Sequence, residues 1–178
     1  HTLLGREDWT ILTAHNPMGQ QLSPEENAAR NERLREELDR RGLDYIDSIG
    51  KYVNDILADP PEDGFAVFGV TPEIANEIGN MFEQDSVLTG RGLLYHDMTL
   101  NPADGTITEH ATPPENYFTS IPQTGALFTM GINFEQRIPF VRQFAQPADR
   151  GRVDNVAVVH YSQQPRTSLV SWFYGTGM

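Results

Sequence analysis

Two side chains in this sequence are candidates for proton transfer or covalent chemistry, His15 and Ser86. An imidazole has an unperturbed pKa near neutrality, so His15 is the best candidate for an acid or base. Ser86 would act beside it as a nucleophile or hydrogen-bond donor. However, no Gly-x-Ser-x-Gly turn surrounds this serine. A Ser–His hydrolase is therefore the less favoured interpretation, and a structural role for a lone loop histidine is the more common one.

Side-chain amides form a second group with functional potential. Asn27 and Asn31 are one turn apart in a predicted helix and share a stripe with Leu34 and Leu38, so they should face the sheet. An unpaired buried amide costs about 1–3 kcal/mol. We expect these amides either to pin the preceding loop or to line a ligand site, where the helix N-terminus would favour an anion. The remaining predicted ligand-binding residues are Asn16, Gln21 and Gln84.

Several classes of site lack the residues that they need. The chain has no cysteine, which excludes disulfides, thiolate metal sites and cysteine nucleophiles. Its five histidines show no HxH or HExxH spacing, and His96-Asp97 is better explained as part of a surface loop than as a metal site. No GxGxxG or P-loop motif is present. We therefore predict neither a metal nor a cofactor.

The charge is strongly negative and unevenly distributed. The net charge is −12, and residues 1–100 carry 8 basic and 19 acidic side chains, against 5 and 6 in residues 101–178. Such a surface repels nucleic acid. The charge indicates either a solubility function or a partner protein with a basic surface. No window of 18 apolar residues occurs, so we expect no membrane span.

The pattern of elements predicts an α+β fold. An apolar strand at 9–14 precedes a helix with Ser23 as N-cap, Pro24 in the first turn and Gly42 after its last residue, near Arg41. Strands at 43–49 and 65–70, a helix at 72–83 and a strand beginning at Ser86 follow. This β-α-β-β-α-β order is that of a ferredoxin-like core. It brings residues 15–21, 50–64 and 83–86 to one edge.

The second half of the chain reads as mostly β. Asn101–Gly105 predicts a tight turn, and strand-like runs occur at 125–134, 155–161 and 168–174. We therefore predict a ferredoxin-like domain over residues 1–97. Residues 98–178 are predicted to form a β-rich extension that packs on the same sheet or extends it.

Two segments of the sequence resemble a known family. The first contains Thr13-Ala-His-Asn-Pro17 and Gln21-Leu-Ser-Pro-Glu-Glu-Asn27, followed by Arg30-Asn31, Leu34 and Gly42-Leu43. The second contains the Phe65–Val70 strand and Phe82-Glu-Gln-Asp-Ser-Val-Leu88. Over about residues 9–97, they resemble the domain-of-unknown-function family DUF3293, with a weaker likeness to short proteins of tailed phages. The resemblance implies no activity. It does imply that one pattern includes Asn16, Asn27, Asn31, Gln84 and Ser86.

Three functions are compatible with these features. The favoured one is a binding or regulatory module with a polar edge at residues 15–21 and 84–86. The first alternative is a small enzyme that acts on a nucleotide or another anionic small molecule, with His15 as acid or base. The second is a phage structural or host-takeover protein, which would favour a homo-oligomer. Because the chain lacks cysteine, we expect a cytoplasmic location in a bacterium or a phage-infected host cell.

Overall fold

A computed structural model describes residues 8–51 and 60–140 of the chain. These ranges contain two α-helices, α1 at Pro24–Arg41 and α2 at Pro72–Met81, and a 3-10 turn at Pro17–Gly19. The strands are β1 at Trp9–Thr13, β2 at Asp44–Lys51, β3 at Glu62–Phe68, β4 at Ser86–Thr89, β5 at Gly92–Tyr95, β6 at Thr99–Glu109, β7 at Phe118–Ile121, β8 at Ala126–Ile132 and β9 at Ile138–Pro139.

Local signals set the ends of α1 as predicted. The hydroxyl of Ser23 accepts a hydrogen bond from the Glu26 N–H at 3.1 Å, which satisfies one of the free donors of the first turn. Gly42 follows the helix with φ 69°, and its N–H bonds back to the carbonyls of Asp39 and Leu38. The predicted boundaries of this helix are confirmed.

The strands form one antiparallel sheet that closes on itself. Their order is β5-β4-β1-β3-β2-β7-β8-β6-β9. β5 also pairs with β6, with Gly92 opposite Pro102 and Leu94 opposite Leu100. The first eight strands therefore make a closed antiparallel barrel, and β9 pairs with the start of β6 beside it.

The predicted fold class, a ferredoxin-like α+β core with a β extension, is wrong. The elements up to β4 do follow the predicted chain order. However, a ferredoxin-like sheet is open at both edges, whereas here Ile49–Lys51 of β2 pair with β7, and β4 pairs with β5. Sequence periodicity shows which face of a strand is buried but not which strand lies beside it. The closure of the barrel is therefore not visible in any local pattern of the sequence.

The turn predicted at Asn101–Gly105 is also wrong, because β6 runs through it. The register between β6 and β8 shifts between Ala103 and Ile107, and Gly105 has φ 95°. This is the pattern of a β-bulge, which uses the same residue types as a tight turn. The strand predicted at 125–134 is confirmed by β8.

Alternate residues of the strands enter two separate cores. The interior of the barrel holds a cluster without any helix residue, in which Trp9 meets Phe128 edge to face at a ring distance of 6.4 Å. The other face of β1, β3 and β4 packs on the helices. The interior cluster contains Trp9, Ile11, Ala66, Leu88, Ile121, Phe128 and Met130. The helix-facing cluster includes Leu12, Leu34, Leu38, Phe65, Val67, Ile78 and Val87.

The strands after residue 97 share this sheet with the earlier ones. The division into domains at residue 97 stays a prediction. The strands predicted at 155–161 and 168–174 lie outside the described residues. Within residues 8–51 and 60–140, neither helix is long and apolar enough to span a membrane.

Candidate functional site

Most of the predicted site residues gather at one end of the barrel. β1 ends at Thr13, opposite Gly64 near the beginning of β3, and β4 also begins at this end because it runs antiparallel to β1. Helix α1 begins here and α2 ends here. Polar groups from these connections meet in a contact that we call the amide seam. The amide seam consists of His15, Asn16, Asn27, Arg30 and Gln84.

Asn16 and Asn27 bond to each other in both directions. The Asn27 Oδ1 accepts from the Asn16 backbone N–H at 2.9 Å, and the Asn27 Nδ2 donates to the Asn16 Oδ1 at 2.9 Å. Asn16 Oδ1 also accepts from the Leu22 N–H at 3.0 Å, and Asn16 Nδ2 donates to Glu62 Oε2 at 3.2 Å. The two amides therefore fasten the β1–α1 connection to the first turns of α1. This is the pinning role predicted as one alternative.

Gln84 ties the other connection to the same place. Its Nε2 donates to the carbonyl of His15 at 2.9 Å and to that of Phe82 at 3.1 Å, and the residue is buried. The amide thus joins residues separated by most of the first half of the chain. The prediction that the segments around 15–21 and 83–86 meet is confirmed.

Arg30 is a member of the seam that sequence reasoning missed. Its Nε donates to the carbonyl of Ala14 at 2.6 Å and its Nη2 to the carbonyl of Phe82, while Nη1 lies 3.5 Å from Glu83 Oε1. The guanidinium therefore joins the end of β1 to the end of α2. The alternating Glu and Arg residues of α1 are typical of a solvated surface, and they hide this role of Arg30, although it stands beside Asn31 in the segment that resembles a family.

The β1–α1 connection has an unusual backbone. Asn16 has φ 45° and Met18 φ 49°, and the Met18 N–H donates at 2.7 Å to the carbonyl of Glu83, which has φ 57°. Non-glycine residues seldom adopt this left-handed region, although asparagine tolerates it. Gln21 follows in the extended segment before α1, and it is exposed, unlike the amides of the seam.

Two buried atoms in this region have no hydrogen-bond partner among the described residues. They are His15 Nε2 and Asn31 Oδ1. Asn31 lies one turn after Asn27 on the same side of α1, as the helical spacing predicted. Of the two helix asparagines, therefore, one is fully engaged and the other is not.

The surroundings of His15 favour the neutral form of its imidazole. Burial lowers its pKa below the ordinary value of 6.5, with a further lowering from Arg30, while the Asp63 carboxylate acts in the opposite direction. A neutral imidazole has one N–H donor and one acceptor nitrogen. The role of His15 as an acid or base stays a prediction.

Ser86 is not hydrogen-bonded to His15 in the part of the chain that the structure describes. It lies at the start of β4, opposite Tyr95 of β5. By strand alternation it shares a face with Leu88, which belongs to the interior cluster of the barrel. Its side chain thus belongs to the barrel interior, whereas the amides of the seam lie beside the helices.

Carboxylates surround the amide seam. Asp63, Glu83 and Asp85 are exposed, and Glu62 is half-buried. The seam itself holds one guanidinium, Arg30, which is already bonded to carbonyls. The local field is negative, which disfavours an anionic ligand. Among the described residues, no three His, Asp or Glu side chains are grouped so as to hold a metal.

This geometry can be compared with known proteins. Residues 12–87 match the model of the family described as "Protein of unknown function (DUF3293)". The resemblance seen in the sequence is confirmed. The DUF3293 match runs from β1 to β4, covers a little under half of the chain, and includes every predicted site residue. No curated protein matches the chain, and the likeness to tailed-phage proteins is without support.

Proposed function

We propose that this chain is a binding module whose acidic edge, formed by Asp63, Glu83 and Asp85, takes a partner protein with a basic surface. One observation carries the proposal. These exposed carboxylates border a network of hydrogen bonds in which the one cation, Arg30, is already engaged. Complementary charge steers a basic partner to such an edge and fixes its orientation.

The bonding of the amides supports binding rather than catalysis. Asn16, Asn27 and Gln84 use their polar atoms on each other and on the backbone. They hold together the connections that carry the acidic edge. An anionic small molecule, the ligand first expected from the helix N-terminus, would meet the carboxylates there.

The proposal is tested with two variants of equal charge and a labelled arginine-rich peptide. The edge variant is Asp63→Asn/Glu83→Gln/Asp85→Asn. The control removes three exposed carboxylates elsewhere: Glu36→Gln/Asp44→Asn/Glu109→Gln. Exposed ion pairs contribute about 0.2–1 kcal/mol each. Three lost pairs should therefore weaken binding by about tenfold.

Fluorescence anisotropy at low and physiological salt measures the affinity. The edge variant should lose about tenfold and the control less than about threefold, with the difference shrinking in salt. Equal losses in the two variants would mean that the peptide responds to net charge alone, and the proposed edge would then be wrong.

A small enzyme with His15 as acid or base is the second candidate. The unpartnered His15 Nε2 and the neutral imidazole support it. Hydrolysis of p-nitrophenyl acetate and p-nitrophenyl phosphate by the wild type and by His15→Gln tests this candidate. A rate that disappears in the variant would favour catalysis, and equal rates would count against it. The cytoplasmic location stays a prediction.

A further inference from the structure

The interior of the barrel changes from apolar to polar at the end that carries the amide seam. Along β1, β2, β4, β5 and β7 the next interior-facing residue beyond the apolar cluster has a polar group. Thr13 follows Ile11 on β1, and Ser48 follows Ile46 on β2. On β4, β5 and β7 the corresponding residues are Ser86, Tyr95 and Thr119. On β3 this position is Gly64, and Glu62 is the next interior-facing residue after it. We call the six polar residues Thr13, Ser48, Glu62, Ser86, Tyr95 and Thr119 the polar collar.

Ser48 shows that the collar is not merely a solvated rim. The residue is 2% exposed, and its Oγ has no hydrogen-bond partner within residues 8–51 and 60–140. Thr119, on the strand paired with β2, is fully buried. A buried hydroxyl without a partner costs about 1–3 kcal/mol, so its retention indicates a molecule that bonds to it.

The width of the barrel limits the size of a ligand at the collar. An eight-stranded barrel is wide enough for its own side chains or for one small ligand. Below the collar, Trp9 and Phe128 are each 1% exposed and in edge-to-face contact. A ligand in the collar would therefore be small and would rest on this apolar floor.

The charge of the collar selects the ligand class. Glu62 is its one charged member, and its Oε2 already accepts a hydrogen bond from Asn16 Nδ2 at 3.2 Å. A carboxylate only accepts hydrogen bonds. Arg137 lies 3.6 Å from the centre of the Tyr95 ring, but its guanidinium is bonded to Thr99 and paired with Asp97. A ligand group that meets the Glu62 carboxylate must therefore donate, as an amine or a hydroxyl group does.

We infer that the polar collar binds a small molecule with an amine or hydroxyl group, held by Ser48 and Glu62. This site lies inside the barrel and does not depend on the proposed partner-binding edge. Ser86, which the sequence predicted to be a site residue, belongs to the collar and therefore lines this site.

Ethanolamine is the probe, since it carries both groups, and glycolate is its anionic counterpart. Both are titrated to about 10 mM into the ¹⁵N-labelled full chain, because so few atoms bind weakly. Ethanolamine should shift the amide signals of Ser48, Gly64 and Thr119 saturably, and glycolate should not. Ser48→Ala should weaken ethanolamine about tenfold through one lost hydrogen bond.

Ser120→Ala is the matched control, because Ser120 lies beside Thr119 on the opposite face of β7. It should bind ethanolamine like the wild type. Glu62→Gln is a second variant that should weaken ethanolamine more than ethylene glycol. The inference is overturned if ethanolamine gives no saturable shift, if Ser48→Ala keeps full affinity, or if glycolate binds equally well.

Discussion

The two asparagines of α1, Asn27 and Asn31, should differ in how much stability the protein loses when each is replaced by alanine. Asn27→Ala removes two hydrogen bonds of 2.9 Å with Asn16 and leaves the Asn16 N–H without its acceptor. A third contact, to the Leu22 carbonyl at 3.5 Å, is at the limit of a hydrogen bond. At about 1 kcal/mol for each good bond, and with an unpaired buried donor left behind, the free energy of unfolding should fall by about 2–3 kcal/mol.

Asn31→Ala is the matched control, since it lies one turn away on the same side of the helix. Its Oδ1 has no partner in the described part of the chain, so the substitution removes no hydrogen bond to this oxygen. Alanine also has the higher helix propensity, by a few tenths of a kcal/mol. We expect the stability of this variant to lie within about 0.5 kcal/mol of the wild type, or slightly above it.

Urea unfolding followed by circular dichroism gives the midpoint and slope for both variants. Amide hydrogen exchange adds a local measurement, because Asn16 and Leu22 should lose protection in Asn27→Ala alone. The reasoning is refuted if the two variants are equally stable, or if Asn31→Ala is the more destabilised. In either case the hydrogen bonds of Asn27 would not be what fastens the connection.

Three further predictions test other parts of the structure. Gly64→Ala places a methyl group 2.3 Å from the Leu12 carbonyl oxygen, so thermal unfolding should show a loss of more than about 3 kcal/mol. In Gly42→Ala the added methyl group meets no atom, but the residue keeps φ 69°, so the loss of stability in the same assay should be only about 1–2 kcal/mol. Equal losses in the two variants would contradict the predicted clash between residue 64 and the Leu12 carbonyl. Because the pKa of His15 is lowered, the unfolded chain takes up its proton first as the pH falls. Its contribution to stability is thus complete above pH 6.5 and lost below it, and urea unfolding of His15→Gln should show a weaker pH dependence there than the wild type. Arg30→Lys keeps the charge but not the planar fork that reaches two carbonyls, and urea unfolding should show a loss of about 2 kcal/mol. An unchanged midpoint would show that these bonds do not stabilise the seam.

Part of the candidate site could be predicted because its signals are local. The spacing of Asn27 and Asn31 places both on the sheet-facing side of α1, whatever the remainder of the fold. The chain order of strands and helices then brings Gln84 to the same end as His15. Arg30 could not be predicted in this way. A guanidinium that bonds to backbone carbonyls looks, in the sequence, like any charged residue on a helix surface.

The sequence by itself determined the helices, their caps, the main strands and the meeting of residues 15–16 with 84, since each depends on contacts within a turn, a strand or one crossover. Only the tertiary structure decided that the sheet closes, that Asn27 is fully bonded while Asn31 is not, and that Ser86 lies toward the interior of a barrel. Closure depends on β5 pairing with β6 and on β2 pairing with β7. Such pairings are made by the backbone N–H and C=O groups that all residues except proline share, so side-chain patterns do not record them.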